Sequence, residues 1–148
     1  MLETLISSKT RIKLLLKFFL NSGSRGYLRS LETEFGESTN AIRLELNKFE
    51  KAGMLVSDAE GNKKVFRANK SHPLYESIHG LMMKYVGLDK LILSITSALG
   101  AIKEVYLIGD YAEGRDGGVI DLLFIGPDLN TERLMHFINR AEAEIKRK

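Results

Sequence analysis

A chain of 148 residues, 44% hydrophobic and 28% charged, has room for one ordinary domain or two small ones and enough apolar material for a core, which excludes a disordered or fibrous chain. Cysteine is absent, so disulfides and thiolate metal sites are excluded, and a cytoplasmic location is the expectation. The net charge of +3 hides an asymmetry: residues 1–70 carry 13 Lys/Arg against 8 Asp/Glu, and residues 71–148 carry 9 against 11, so any polyanion-binding surface belongs in the first half.

Ser8 is placed to cap a helix whose apolar positions Ile12, Leu15, Leu16, Phe19 and Leu20 keep helical spacing, and the polar stretch Asn21 to Ser24 ends it. The apolar run Leu14 to Leu20 is broken by Lys17 and falls far short of the roughly 20 residues that span a bilayer, so no membrane partner is expected. Tyr27 to Phe35 puts Leu28, Leu31 and Phe35 on one face of a short second helix that Gly36 stops. Ser38 or Thr39 caps a third, with Ile42, Leu46 and Phe49 inward and Gly53 at its end. Leu55 to Ser57 and Lys63 to Arg67 then read as antiparallel strands around the turn Asp58 to Asn62, with Gly61-Asn62 at the tip. Three helices followed by a basic hairpin predict a winged helix-turn-helix over residues 1–70.

Asn69 to Pro73 is a polar hinge, and Pro73 suits the first turn of a new helix. Residues 71–100, rich in Leu, Ile and Met, predict one or two helices bent or divided at Gly80 and Gly87, acting as a linker or dimerisation segment. Glu104–Ile108 and Val119–Ile125 read as strands. Asn130 or Thr131 caps a last helix with Leu134, Phe137, Ile138, Ala141 and Ile145 inward. The fold class expected is α+β, with residues 101–148 forming a small α/β segment.

In a helix-turn-helix the second helix of the pair enters the major groove with its N-terminal residues at base edges. With Ile42, Leu46 and Phe49 inward, Asn40, Arg43, Asn47 and Lys48 face outward, and Arg and Asn suit guanine and adenine edges. Ser38 and Thr39 can hold a phosphate at the helix N-terminus, and Lys63, Lys64 and Arg67 put positive charge on the wing. The stretch Ser38 to Leu55 resembles the recognition helix and strand entry of ArsR-type winged-helix regulators. That resemblance implies a double-stranded DNA partner and a homodimer, while the missing cysteines remove the metal sensing common in such regulators.

Phe66 to Tyr75 looks like the linker that joins such a winged helix to a nucleotidyltransferase-like domain. Gly109-Asp-Tyr-Ala-Glu-Gly114, followed by Val119 to Leu123, resembles the nucleotidyltransferase signature, in which two carboxylates one residue apart on a strand share metal ions. Gly109, Gly114 and Asp121 match it. Val119 stands where the first carboxylate is expected, Gly118 replaces a serine, and Asp110 replaces the phosphate-binding serine with a group that repels phosphate. The resemblance therefore implies a degenerate segment with no catalytic residue, resident metal or cofactor, although Asp110, Asp116 and Asp121 leave a loosely held metal open. His72, His79 and His136 are scattered without metal spacing. An active nucleotidyltransferase targeted by the winged helix and a protein-interaction module remain the alternatives.

Overall fold

A computed structural model describes residues 1–99 and 102–148 of the chain, an α+β protein in two compact units, Met1–Met82 and Met83–Lys148.

In the first unit a 3-10 turn (Leu2–Thr4) precedes α1 (Lys9–Leu15), whose first turn is closed by Ser8 Oγ accepting from the Arg11 amide at 3.2 Å. Leu16–Leu20 continues the helix with the wider π spacing, and all five of these residues are buried, Lys17 among them. The strand β1 (Arg25–Tyr27) follows where the sequence reading has the end of a turn and the start of the second helix. α2 (Leu28–Phe35) stops at Gly36, whose φ of 63° is the left-handed conformation that glycine adopts without strain. α3 (Thr39–Lys51) is capped by Ser38 Oγ, which accepts from the Ala41 amide at 3.2 Å. Phe19, Leu31, Ile42 and Leu46 are essentially inaccessible as expected, Leu14, Phe18 and Leu55 join them in the core, and Leu28 and Phe35 are only half-buried.

β2 (Leu55–Glu60) and β3 (Lys63–Ala68) pair antiparallel from Leu55 opposite Ala68 to Glu60 opposite Lys63, and Gly61-Asn62 makes the tip. Asp58 to Glu60 therefore belong to the strand and not to the turn. The sheet has three strands in the order β1-β3-β2, with Arg25 opposite Arg67 and Tyr27 opposite Val65. At Gly26 a Cβ would stand 2.9 Å from Leu31 Cδ2, so β1 packs on α2 closely enough that any side chain there would displace Leu31. α4 (Tyr75–Val86) then leads out of this unit, its Tyr75 ring stacked on His79, whose Nδ1 lies 2.7 Å from the Phe19 carbonyl oxygen.

In the second unit α5 (Leu88–Ala98) starts after Gly87, which divides the long apolar stretch, whereas Gly80 sits inside α4. β4 (Glu104–Ile108) leads into the one-turn helix α6 (Gly109–Ala112), and β5 (Asp121–Ile125) pairs antiparallel with β4. Val119 and Ile120 precede β5, so the expected strand is two residues shorter and Val119 does not alternate with Asp121 along it. The Ile120 amide donates instead to the Lys148 carbonyl. α7 (Thr131–Ile145) is capped by Asn130 Oδ1 accepting from the Arg133 amide at 3.0 Å, and it buries Phe137 and Ala141 with Leu134, Ile138 and Ile145 half-buried beside them. No described helix is long and apolar enough to cross a membrane.

Candidate nucleic-acid interface

The phase of α3 decides what it can offer to a ligand. Ile42, Leu46 and Phe49 are buried against the rest of the first unit, so Ser38, Asn40, Arg43, Asn47 and Lys48 are exposed and Thr39 half-exposed. Glu45 breaks the pattern, because it is buried and receives two hydrogen bonds from the Arg11 guanidinium, at 2.8 and 3.1 Å. Arg11 holds its carboxyl below the usual carboxylate range, and the pair pins α3 to α1. Lys48 Nζ lies 3.6 Å from the same carboxylate, so part of its charge is spent locally.

The outward side of α3, the start of α2 and the hairpin tip enclose an open groove of about 580 Å³. Tyr27, Arg29, Thr39, Arg43, Asn47 and Lys63 contribute to its walls, together with Lys64, and Glu32 is the one acid among the lining residues. Lys63 Nζ stands 4.4 Å over the Tyr27 ring and within 3.4 Å of its hydroxyl, a cation–π arrangement that steadies the side chain without cancelling its charge. Arg29 and Arg43 are exposed and make no ion pair among the described residues.

The other cations of the hairpin are matched by acids. Lys64 Nζ lies 2.7 Å from Glu50 of α3, whose carboxyl is held below its usual range by Lys64 and by the Ser57 hydroxyl. Arg67 Nε pairs with Asp58 at 3.1 Å, and Arg25 pairs with Glu60 across the sheet. Of the residues singled out from the sequence, the structure thus brings Thr39, Arg43, Asn47, Lys63 and Lys64 to one groove. Ser38, Asn40, Lys48 and Arg67 lie outside its lining. Arg29 and Tyr27 belong to the groove and were missed, although Arg29 lies off the Leu28, Leu31, Phe35 stripe and its outward phase was a usable signal.

In the second unit the residues of the Gly109–Asp121 region are held by one another. Gly109 has a φ of 68°, and a Cβ there would meet Asp121 Oδ2 at 2.4 Å. Asp110 takes a 2.9 Å hydrogen bond from Arg115, and its other oxygen lies where a Cβ on Gly117 would be. Asp116 accepts from Arg147 at 2.7 Å and from the hydroxyl of Tyr111. Burial, reinforced by Asp116, pushes that hydroxyl well above the usual tyrosine range. Among the described residues no group of three His, Asp or Glu side chains is placed to hold a metal ion.

No family model and no curated protein matches the chain. Among solved structures the chain is similar to the crystal structure of AF1382 from Archaeoglobus fulgidus, at 16% identity and a TM-score of 0.45, over 62% of this chain and 97% of that one.

Proposed function

We propose that the first unit binds double-stranded DNA as a winged helix-turn-helix, with the N-terminal half of α3 in the major groove, and that the protein is a dimeric transcriptional regulator and not an enzyme. One observation carries the reading: a single groove between α3, α2 and the hairpin gathers Arg29, Arg43 and Lys63, none neutralised by an acid among the described residues, beside a lone carboxylate. Duplex DNA is a polyanion with readable base edges, and this groove supplies both unspent cations and the amide and guanidinium groups that read such edges. In this reading Arg43 and Asn47 face bases, while Arg29, Thr39 and Lys63 hold the flanking phosphates.

The second unit is read as a nucleotidyltransferase-like module without activity. Asp110 and Asp116 are tied up by Arg115 and Arg147, and Val119 supplies no carboxylate beside Asp121. Phosphoryl-type transfer needs metal ions clamped on the reacting phosphate, which a lone unpaired carboxylate holds poorly. A homodimer reading two half-sites about one helical turn apart calls for a near-palindromic operator. Selecting bound duplexes from a random pool with the purified protein tests the proposal; a pool that returns unenriched means general attraction to polyanions and refutes sequence-specific regulation.

A further inference from the structure

The two-stranded sheet of the second unit is apolar on both faces. Val105, Leu107, Leu122 and Phe124 alternate onto one face and are half-buried. The other face carries Tyr106, Ile108, Leu123 and Ile125, which are 48, 44, 48 and 42% exposed. An antiparallel sheet with one wet face normally turns polar residues to it, so this face lacks the surface that solvent favours.

Its charges are placed in a pattern. The register sets Tyr106 opposite Leu123 at the centre, Glu104 opposite Ile125 at one end and Asp121 opposite Ile108 at the other. The outward positions therefore form an apolar diagonal from Ile108 through Tyr106 and Leu123 to Ile125, with one carboxylate on each flank. Neither carboxylate has a cationic partner among the described residues: Glu104 accepts from the Tyr106 hydroxyl at 2.9 Å, and Asp121 lies against Gly109.

We propose that this face binds an amphipathic helix of a partner protein, one whose apolar stripe is flanked on both sides by Lys or Arg. Five strand residues and one interstrand spacing give a diagonal of about 14 Å, which about nine residues of helix cover at their rise per residue. Such a helix lays two to three turns of apolar side chains along the diagonal and sets its basic flanks on Glu104 and Asp121. A second copy of the chain fits poorly. With a two-fold axis along or across the strands, each carboxylate is pressed onto an isoleucine of the other copy and buried without a counter-ion. Nucleic acid and anionic lipid are repelled by the same two acids.

The inference uses the second unit alone and stands whether or not the first binds DNA. Its test is fluorescence anisotropy with the full chain and a labelled helical peptide of about fourteen residues, with Leu on one stripe and Lys on both flanks. A twin peptide with Gln for each Lys is the control. The Lys peptide is expected to bind about fivefold more tightly than its twin, as two exposed ion pairs allow. That preference should vanish in the Glu104→Gln, Asp121→Asn double variant, and Leu123→Asn should lose both peptides. Tyr106→Ser repeats the last arm if circular dichroism shows Leu123→Asn unfolded. Equal binding of the two peptides, no binding of either, or a preference unchanged in the double variant overturns the proposal. So does sedimentation showing that Leu123→Asn turns a dimer into a monomer, which would give the face to a second copy.

Discussion

Lys63 and Lys64 are neighbours on one strand with the same formal charge, and on the proposed reading they contribute differently to DNA binding. Lys63 rests over an aromatic ring with no acid beside it, whereas Lys64 sits 2.7 Å from a Glu50 carboxylate that it helps keep ionised. Each phosphate neutralised by a free cation adds about 0.9 to the slope of log K against log salt. Lys63→Ala should therefore flatten the slope by about 0.9, which amounts to about 3.5-fold in affinity between roughly 50 and 200 mM salt. Lys64→Ala should flatten it by clearly less, because the charge of Lys64 is already matched by Glu50 and neutralises little of a phosphate. The reciprocal variant Glu50→Gln frees Lys64, which should steepen the slope by up to about 0.9. Fluorescence anisotropy on one selected duplex across a salt series measures all three. Equal losses for the two lysines, with Glu50→Gln indistinguishable from wild type, would refute the argument that the hairpin's ion pairs ration its charge.

Arg43→Ala should lower specific binding by about 1–3 kcal/mol and relax preference at one base pair in each half-site; competition between single-base operator variants checks this, and uniform weakening on all of them moves Arg43 to a phosphate. The Glu45 carboxyl is held below its ordinary range by Arg11, so its contribution to stability is present above the unfolded carboxylate pKa and lost as pH falls through the lower folded value. Urea unfolding from neutral to acid pH should accordingly show a shallower decline in Glu45→Gln than in wild type, and parallel curves would contradict it. Gly109→Ala combines a left-handed φ with a Cβ at 2.4 Å from Asp121 Oδ2, which should cost about 1–3 kcal/mol, with the steric part recovered in Gly109→Ala, Asp121→Gly. Incubation with nucleoside triphosphates and magnesium or manganese should yield no nucleotide transfer, and Asp121→Ala should leave DNA binding unchanged; transfer abolished by that variant would establish the enzyme reading instead.

What was legible in the sequence was what is decided within one helical turn or one hairpin. Ser8, Ser38 and Asn130 each cap through an amide three residues on, and the Gly61-Asn62 tip closes between adjacent strands, so local chemistry alone points to them. What was not legible depends on partners far along the chain. Arg25–Tyr27 has glycine at its centre and no strand pattern of its own, and it becomes β1 by pairing with residues about forty positions away. Asp58 to Glu60 are weak strand formers that read as a turn, yet they pair with β3 along the whole of β2, and Arg67 of the adjacent β3 and Arg25 of β1, one strand further, take up the charges of Asp58 and Glu60. The outward phase of α3 was enough to set Arg43 and Asn47 on its exposed side, while the pairing of Lys64 with Glu50 and the burial of Glu45 under Arg11 follow only from the packed arrangement.

The glycines of the second unit show why such a signal can be right about geometry and silent about cause. A glycine-rich turn between a strand and a helix is read as a place where backbone must approach a phosphate, and Gly109, one of the two glycines of that pattern, sits where a Cβ would crowd a neighbour, as does Gly117 in the loop that follows α6. The groups approaching them are the chain's own carboxylates, Asp121 at the first and Asp110 at the second. Glycine is favoured in either case, because the steric demand is the same for a phosphate oxygen and a carboxylate oxygen. The electrostatic demand is opposite: two carboxylates held against these two backbone segments present negative charge to an incoming triphosphate, and Arg115 beside Asp110 offsets only one of them. Glycine spacing thus reports close approach, and the identity of the approaching group has to be read from the acids around it.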